Sequence, residues 1–241
     1  MAELSIIVPT YNEENYLGIL LESLKRQEYK NYEIIVADNN SQDKTVLVAK
    51  KFKCKVVNGG LPGVGRNNGA KVAKGRLLLF MDADVVLPDN TLDKLITEFK
   101  KRRLDVASLY IEPLEKNFLY RFYHWIWNLV AFITQYFDPQ VSGAFLLCKK
   151  SVFKLVGGFD ETITFAEDMA YGRKAKELKH KVRILKSARV KVSTRRFKVE
   201  GKYRLGFKYM LCFVHRMSLG EIKSHIFHYT WEYRRRKSVK T

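Results

Sequence analysis

Two carboxylates, Asp82 and Asp84, stand two residues apart in RLLLFMDADVV, directly after an apolar run. Ionised acids this close repel unless a cation or hydrogen bonds offset them, and hard oxygen ligands with open positions suit Mg2+ or Mn2+ bridging substrate phosphates. A loop acid followed by a helix-start acid would be spelled the same way. A second pair, Glu167 and Asp168 in FAEDMAYGRKAKE, lies at the start of a helical pattern. There it can complement the helix dipole or supply a general base that takes a proton from an attacking hydroxyl. Asp38, in VADNNSQDKT, ends another apolar run and reads equally as an Asx turn leading to a Ser41 cap. Arg66 lies between glycines in GLPGVGRNNGA and opens a helix whose N-terminus favours anions. Those glycines fit neither a Walker loop nor a dinucleotide fingerprint. Arg195 and Arg196, in KVSTRRF, suit a diphosphate or acceptor-phosphate contact, or a solvated basic strand end. His124, His180, His215, His225 and His228 match no metal-ligand spacing, and no nucleophile triad is spelled out.

The hydrophobic pattern says what must hold these residues. LSIIVPT, ENYLGILLESLKRQ and YEIIVAD alternate strand, helix and strand, with Leu17, Leu20, Leu21 and Leu24 on one helical face. A helix running to Lys53 behind Ser41, a short strand KVVN, and a loop entering a helix over Gly63–Lys74 continue the alternation. RLLLFMDAD then reads as a strand covered on both faces, Pro88–Arg103 as a helix started by Asp89 or Asn90, and VASLYIE as another strand. The predicted class is α/β: a Rossmann-like, mostly parallel sheet flanked by helices. Such sheets bind ligands beyond the carboxyl ends of their strands. Tyr11, Asn12 and Glu13, Asp38 to Asn40, and Asp82 and Asp84 should therefore converge on one edge.

Six segments in this order, IIVPTYNEE, VADNNSQDKT, GVGRNNGA, FMDADVVL, SGAFLLCKKSVFKLVGGFDE and FAEDMAYGRKAKE, resemble the nucleotide-sugar-dependent glycosyltransferases of family 2, with the GT-A fold, including the polyprenyl-phosphate and cell-envelope enzymes. The resemblance covers residues 4–200 and implies roles. Pro9, Tyr11 and Glu13 would border the nucleobase and ribose, Asp38 would face the base, and Arg66 would lie near the nucleotide or its diphosphate. Asp82 is implied at the ribose or metal shell, and Asp84 as the main protein ligand of Mg2+ or Mn2+. Gly143 and Ala144, after Ser142, match the acceptor-side loop, where small residues leave room for the sugar. Glu167 and Asp168 match the acidic pair whose second member is the general base. The implied activity is inverting transfer from a nucleoside diphosphate sugar to an acceptor hydroxyl or phosphate. Where many relatives carry a histidine or basic cluster near the metal, this chain has Ser193 to Arg196, which leaves a third metal ligand open. The alternative class is a non-catalytic nucleotide-sugar binder or scaffold, which would have no need of a base beside a metal ligand.

Composition bounds the rest. The 241 residues, 46% hydrophobic and 29% charged with 5 Pro and 14 Gly, exclude a disordered, collagenous or disulfide-framework protein. Three scattered cysteines suggest neither a disulfide set nor a zinc cluster. Of the net charge of +19, nearly all lies late: residues 1–172 hold 22 Lys and Arg against 21 Asp and Glu, while residues 173–241 hold 22 against 4. That asymmetry points to an anionic membrane or another polyanion, and no nucleic-acid reader motif accompanies it. FYHWIWNLVAFITQYF carries no acid or base other than His124, and as a helix it would extend about 24 Å, short of the roughly 30 Å of a bilayer core. Arg121, His124, Asn128, Ala131 and Gln135 form a polar or small stripe on it, so it is either buried or interfacial. Aromatics beside cations in YRLGFKYMLCFVHRM and HYTWEYRRRK suit headgroup depth. Two regions are expected: a GT-A domain over residues 1–200, and a helical, basic, aromatic extension over residues 201–241 that approaches the membrane. Met1 runs almost directly into a strand, leaving no room for an export signal. The expected placement is cytoplasmic, peripheral on the inner membrane face, with a lipid-linked acceptor.

Overall fold

The computed structural model describes residues 2–223. The segment HYTWEYRRRK, with His228 and the last arginines, and His225 lie outside the described residues. In chain order the elements are β1 (Leu4–Thr10), α1 (Glu14–Lys25), β2 (Tyr32–Asp38), α2 (Thr45–Lys51), β3 (Lys55–Asn58), α3 (Pro62–Val72) and β4 (Leu77–Phe80). Then follow β5 (Val85–Val86), α4 (Thr91–Lys101), β6 (Val106–Pro113), α5 (Phe118–Thr134), β7 (Leu146–Lys149) and α6 (Lys150–Val156). The described chain closes with α7 (Glu167–Glu177), β8 (Val182–Val192), α8 (Arg195–Glu200) and α9 (Lys202–Leu219).

The strands form one sheet in the order β3-β2-β1-β4-β7-β6-β8-β5. β7 runs antiparallel to both its neighbours and the short β5 antiparallel to β8, while the remaining pairings are parallel. The order turns back on itself between β1 and β4, the place where an open α/β sheet leaves a crevice beyond its strand ends. Alternate residues of β1 and β4 serve opposite faces of the sheet. Leu4, Ile6, Val8, Leu77 and Leu79 pack with α1 and α4 residues such as Leu20 and Phe99. Ile7, Leu78 and Phe80 pack with Ala70, Phe153 and Tyr171 on the other side. Covering on both faces explains why LLLF shows no polar alternation.

Several local expectations are corrected. α3 is helical from Pro62, so Arg66 sits in its second turn rather than at its mouth. The glycines around it serve packing: a Cβ on Gly69 would lie 2.4 Å from Ile7 Cγ2, so only glycine lets α3 press onto β1. Ser41 does not cap α2, which begins at Thr45; its hydroxyl donates to Asp38 Oδ1 (2.6 Å) and accepts from the Asn12 amide (2.8 Å). Asn90 stands at the start of α4, as expected, but its side chain makes no cap bond there. Gln27 Oε1, just past the end of α1 on the same face of the sheet, accepts from the Thr91 and Leu92 amides at 2.8 and 3.0 Å.

α5 shows which side of an aromatic helix faces in. His124, Ala131, Thr134 and Gln135 are buried, and Asn128 bonds both the amide (3.1 Å) and the carbonyl (2.9 Å) of Ile111 in β6. Gln135 Oε1 accepts from the Ile184 amide of β8 at 3.2 Å. From His124 onward the stripe is therefore the inward face, whereas its first member, Arg121, is exposed, and Phe122, Trp125, Leu129, Phe132 and Tyr136 point outward. α9 packs its Leu205, Cys212 and Arg216 inward. Arg216, 1% exposed, pairs with Glu221 and reaches Gln140 Oε1, tying α9 to the segment before Ser142. Among the described residues no helix is long and apolar enough to cross a membrane.

Candidate active site

A cavity of 210 Å³ opens beyond the ends of β4 and β6. Asp82 and Asp84 border it after β4, and Arg66 enters from α3. Ser142, Gly143 and Ala144 come from the turn before β7, and Glu167 and Asp168 from the first turn of α7. Arg196 lies on its rim at the start of α8. Thus eight of the predicted positions, Arg66, Asp82, Asp84, Gly143, Ala144, Glu167, Asp168 and Arg196, share one cavity. The two acid motifs meet although 83 residues separate Asp84 from Glu167 in the chain.

Arg66 organises the centre. Its guanidinium, almost wholly buried, pairs with Asp82 Oδ1 at 2.8 Å through Nη2 and with Glu167 Oε1 through Nη1. It therefore fastens the end of β4 to the start of α7, with the Phe159 ring 5.5 Å away on its face. A buried guanidinium needs such partners, because an uncompensated charge there would cost several kcal/mol, ~3–5 kcal/mol when a buried pair is broken. Gly143 has no room for a side chain: a Cβ would lie 2.3 Å from Arg66 Nη2 and 3.2 Å from Asp168 Oδ2.

Asp168 is held by the backbone. Its Oδ2 accepts from the Gly143 amide and its Oδ1 from the Met169 amide at 2.8 Å. Ala166, in the left-handed region with φ 62°, turns the chain so that α7 begins with both acids in the cavity. Burial and then the neighbouring Glu167 carboxylate push the Asp168 carboxyl up to about 6, against the opposing pull of Arg66. An acid in that range is ionised near neutral pH and basic enough to accept a proton.

The other arginine network lies behind Asp84. Arg195 donates through Nη1 and Nη2 to both Glu13 oxygens, at 2.6 and 2.7 Å, and its Nε meets Asp84 Oδ2 at 2.9 Å. The Tyr16 ring lies 4.6 Å from its guanidinium carbon. β5 pairs with the end of β8, and Ser193 donates its amide to the Asp84 carbonyl, which places Arg195 at that carboxylate. Glu13 and Arg195 thus join the site through Asp84 rather than by lining the cavity. Burial, and secondarily the charge of Asp82, raises the Asp84 carboxyl against the pull of Arg195.

Pro9, Tyr11 and Asp38 stand at the ends of β1 and β2, away from the cavity wall. Pro9 packs toward Gly65 of α3, whose Cβ would lie 3.3 Å from Pro9 Cβ. Asp38 accepts from Thr10 Oγ1 at 2.9 Å across the β1–β2 register and from the Ser41 amide at 2.9 Å. This is the Asx-type turn left open by the sequence.

Sequence reasoning missed the aromatic wall. Tyr123, His124 and Trp127 from α5, with Phe165, Phe197 and Tyr209, complete the lining. Buried His124 has its Nδ1 2.7 Å from the Tyr120 carbonyl, and burial lowers its pKa. Its signal was the polar stripe on α5, not any ligand spacing. Among the described residues, no group of three or more His, Cys, Asp or Glu is placed to hold a metal. Two buried-edge carboxylates at one cavity nevertheless fit Mg2+ or Mn2+, which take one or two carboxylates and complete their shell with water and substrate phosphate.

Comparison with known proteins places this geometry. The family model described as Glycosyl transferase family 2 matches residues 5–155. Poly(ribitol-phosphate) beta-N-acetylglucosaminyltransferase TarS of Staphylococcus aureus is 34% identical over 119 residues, covering 45% of this chain and 21% of TarS. Poly(ribitol-phosphate) beta-glucosyltransferase of Bacillus spizizenii is 32% identical over 116 residues, covering 44% of this chain and 18% of that protein. The chain spans about a fifth of the length of these curated relatives. The crystal structure of S. aureus TarS 1–349 in complex with UDP-GlcNAc superposes with a TM-score of 0.65 at 25% identity, covering 80% of this chain and 59% of that one. Mannosyltransferase PcManGT from Pyrobaculum calidifontis, in complex with GDP-Man and Mn2+, shares the fold with a TM-score of 0.70 at 18% identity, covering 87% of this chain and 62% of that one.

Proposed function

Since the chain belongs to glycosyl transferase family 2 and has the GT-A fold, we propose that it is an inverting, metal-dependent glycosyltransferase. It moves a sugar from a nucleoside diphosphate sugar to a hydroxyl or phosphate of a lipid-linked acceptor, acting from the cytoplasmic side at the inner membrane face. The observation that carries this reading is that Asp168, an acid poised near neutrality, lines the same cavity as Asp82 and Asp84. UDP-GlcNAc, which TarS binds, makes a uridine donor the first to test.

In this reading the donor's base and ribose lie over the ends of β1 and β2, bordered by Pro9, Tyr11, Glu13 and Asp38. Asp84, with Asp82 beside it, would hold Mg2+ or Mn2+. When bound, the ion offsets negative charge growing on the leaving diphosphate. Asp168 takes the acceptor proton as the hydroxyl oxygen attacks the anomeric carbon opposite that diphosphate. The Gly143 and Met169 amides aim its two oxygens; the bare Gly143 lets Arg66 and Asp168 close in beside it, and the small Ala144 side chain leaves space for the sugar. Glu167 has a structural part: its carboxylate pairs with Arg66 and holds α7 in place. Arg196, on the rim, is positioned for an acceptor or diphosphate oxygen, whereas Arg195 acts through Asp84 and Glu13.

A thermal-shift panel of UDP, GDP and dTDP with and without Mn2+ or Mg2+ tests the donor side, because a ligand that binds only the folded state raises its apparent stability. The expected result is stabilisation by one nucleotide that requires the metal and is lost in Asp84→Asn. Equal stabilisation by all three without metal would count against the assignment.

A further inference from the structure

The helices that wall the cavity turn rows of large apolar side chains outward. α5 buries His124, Ala131 and Thr134 and turns outward Phe118, Phe122, Trp125, Leu129 and Phe132, with Tyr136 just past its end continuing the row, at spacings of four, three, four, three and four residues. α9 repeats the pattern, with Tyr203, Phe207, Met210, Val214 and Met217 exposed at spacings of four, three, four and three. Helices on globular surfaces ordinarily show the reverse, and a continuous apolar patch of this kind marks an interaction surface. The two helices touch where a Cβ on Gly206 would lie 2.9 Å from the Tyr123 ring, and Tyr123 also stacks on Phe197 of the intervening α8 at 5.6 Å between centroids. Their inner sides supply Tyr123, His124, Trp127 and Tyr209 to the cavity.

Charge selects the occupant. Neither helix carries an acid. Lys116 and Arg121 are exposed at the start of α5. At its far end the Lys186 ammonium lies 5.0 Å from the Phe132 ring and the Arg183 guanidinium 4.6 Å from the Tyr136 ring. Exposed Lys202 and Arg204 open α9, with the Lys202 ammonium 5.2 Å from the Tyr203 ring. Aromatic stripes bracketed by cations match the layering of an anionic bilayer surface, with rings at headgroup depth and cations on lipid phosphates. We infer that the outward faces of α5 and α9 dock on an anionic lipid bilayer and set the cavity between them against it, so that a membrane-borne acceptor enters headgroup first. The orientation rests on the reading of the cavity as the transfer site; the docking itself does not.

The test uses the full chain with phosphatidylcholine vesicles, with and without phosphatidylglycerol, read by co-sedimentation and by hydrogen exchange. Expected are salt-sensitive binding to the anionic vesicles only, and slower exchange of α5 and α9 on binding. Phe122→Glu with Trp125→Glu, and separately Phe207→Glu with Met210→Glu, should each lower the partition coefficient at least about tenfold, the scale set by withdrawing one large side chain from an apolar environment. Absent binding, exchange protection elsewhere, or unchanged partitioning of folded variants would overturn the docking surface. So would a stable dimer in light scattering that covers these faces, since the occupant would then be a second copy. UDP release with a water-soluble acceptor is measured alongside. Docking without turnover from any nucleotide sugar would overturn the transfer reading and leave the surface standing, while turnover without docking does the reverse.

Discussion

Replacing Arg66 by glutamine removes the one guanidinium that links Asp82 to Glu167, leaving the Glu167 carboxylate in a buried site without its cation. Breaking a buried pair from one side costs about 3–5 kcal/mol, and because Asp82 keeps partial access to water the lower figure applies. For a chain of this size about 3 kcal/mol corresponds to a fall in Tm of roughly 6–12 °C. The pH dependence carries the sharper test. Arg66 pulls the Asp168 carboxyl downward against burial and Glu167, so its loss must raise that group further above its unfolded value. A folded-state acid raised above its unfolded value binds protons more tightly than the unfolded chain, so its penalty is present at high pH and fades as pH falls through the folded pKa. The stability gap between wild type and Arg66→Gln should therefore be wider at pH 8 than at pH 5. The rising limb of kcat/KM, expected at about 6 in the wild type from the raised Asp168 carboxyl, should move to higher pH. Urea titrations across that range and a kcat/KM profile read both effects. An unmoved limb, together with a pH-independent stability gap, would refute the electrostatic coupling of Arg66 to Asp168.

Further outcomes follow from the packing. Gly143→Ala places a methyl 2.3 Å from Arg66 Nη2; the guanidinium must swing off Asp82, so turnover should drop at least about tenfold, equivalent to ~1.4 kcal/mol of activation free energy, while Ala144→Gly, measured in the same UDP-release assay, stays near wild type. Gln27→Ala strips the side-chain acceptor from the first two amides of α4; a loss of about 1–2 kcal/mol in urea denaturation is expected, with kcat/KM unchanged because no α4 residue lines the cavity.

How much of this was legible in the sequence depends on whether a signal is local. The β1–α1–β2 unit and the strand before Asp82 were readable because each residue's burial follows from a short period along the chain. The glycines near Arg66 were visible, but their partner, Ile7 on β1, is a tertiary fact. β7 was not readable as a strand: its four residues are fixed by antiparallel pairing to β4 and β6, far away in sequence. Helix caps failed for the same reason, since Gln27 caps α4 from more than sixty residues away. The acidic pairs were legible by type and order, yet the roles of the two C-terminal arginines were not. Only the β5–β8 pairing puts Arg195 between Glu13 and Asp84, leaving Arg196 on the cavity rim. On α5 the composition announced an aromatic helix with a polar stripe, but the stripe could equally have faced out. Its inward turn was decided by Asn128 and Gln135, which satisfy backbone groups of β6 and β8, and this brought His124 to the cavity unannounced.

The claim on which all else depends is that Asp168 accepts the proton from the attacking acceptor. The most direct measurement is sugar transfer by Asp168→Asn, an isosteric change that keeps the cavity's shape, set beside nucleotide binding by the same protein. The account predicts that UDP or its counterpart still stabilises the variant as it does the wild type, while kcat falls by about 10²–10⁴, the usual contribution of a positioned base. Undiminished transfer by a folded, nucleotide-binding Asp168→Asn would contradict it.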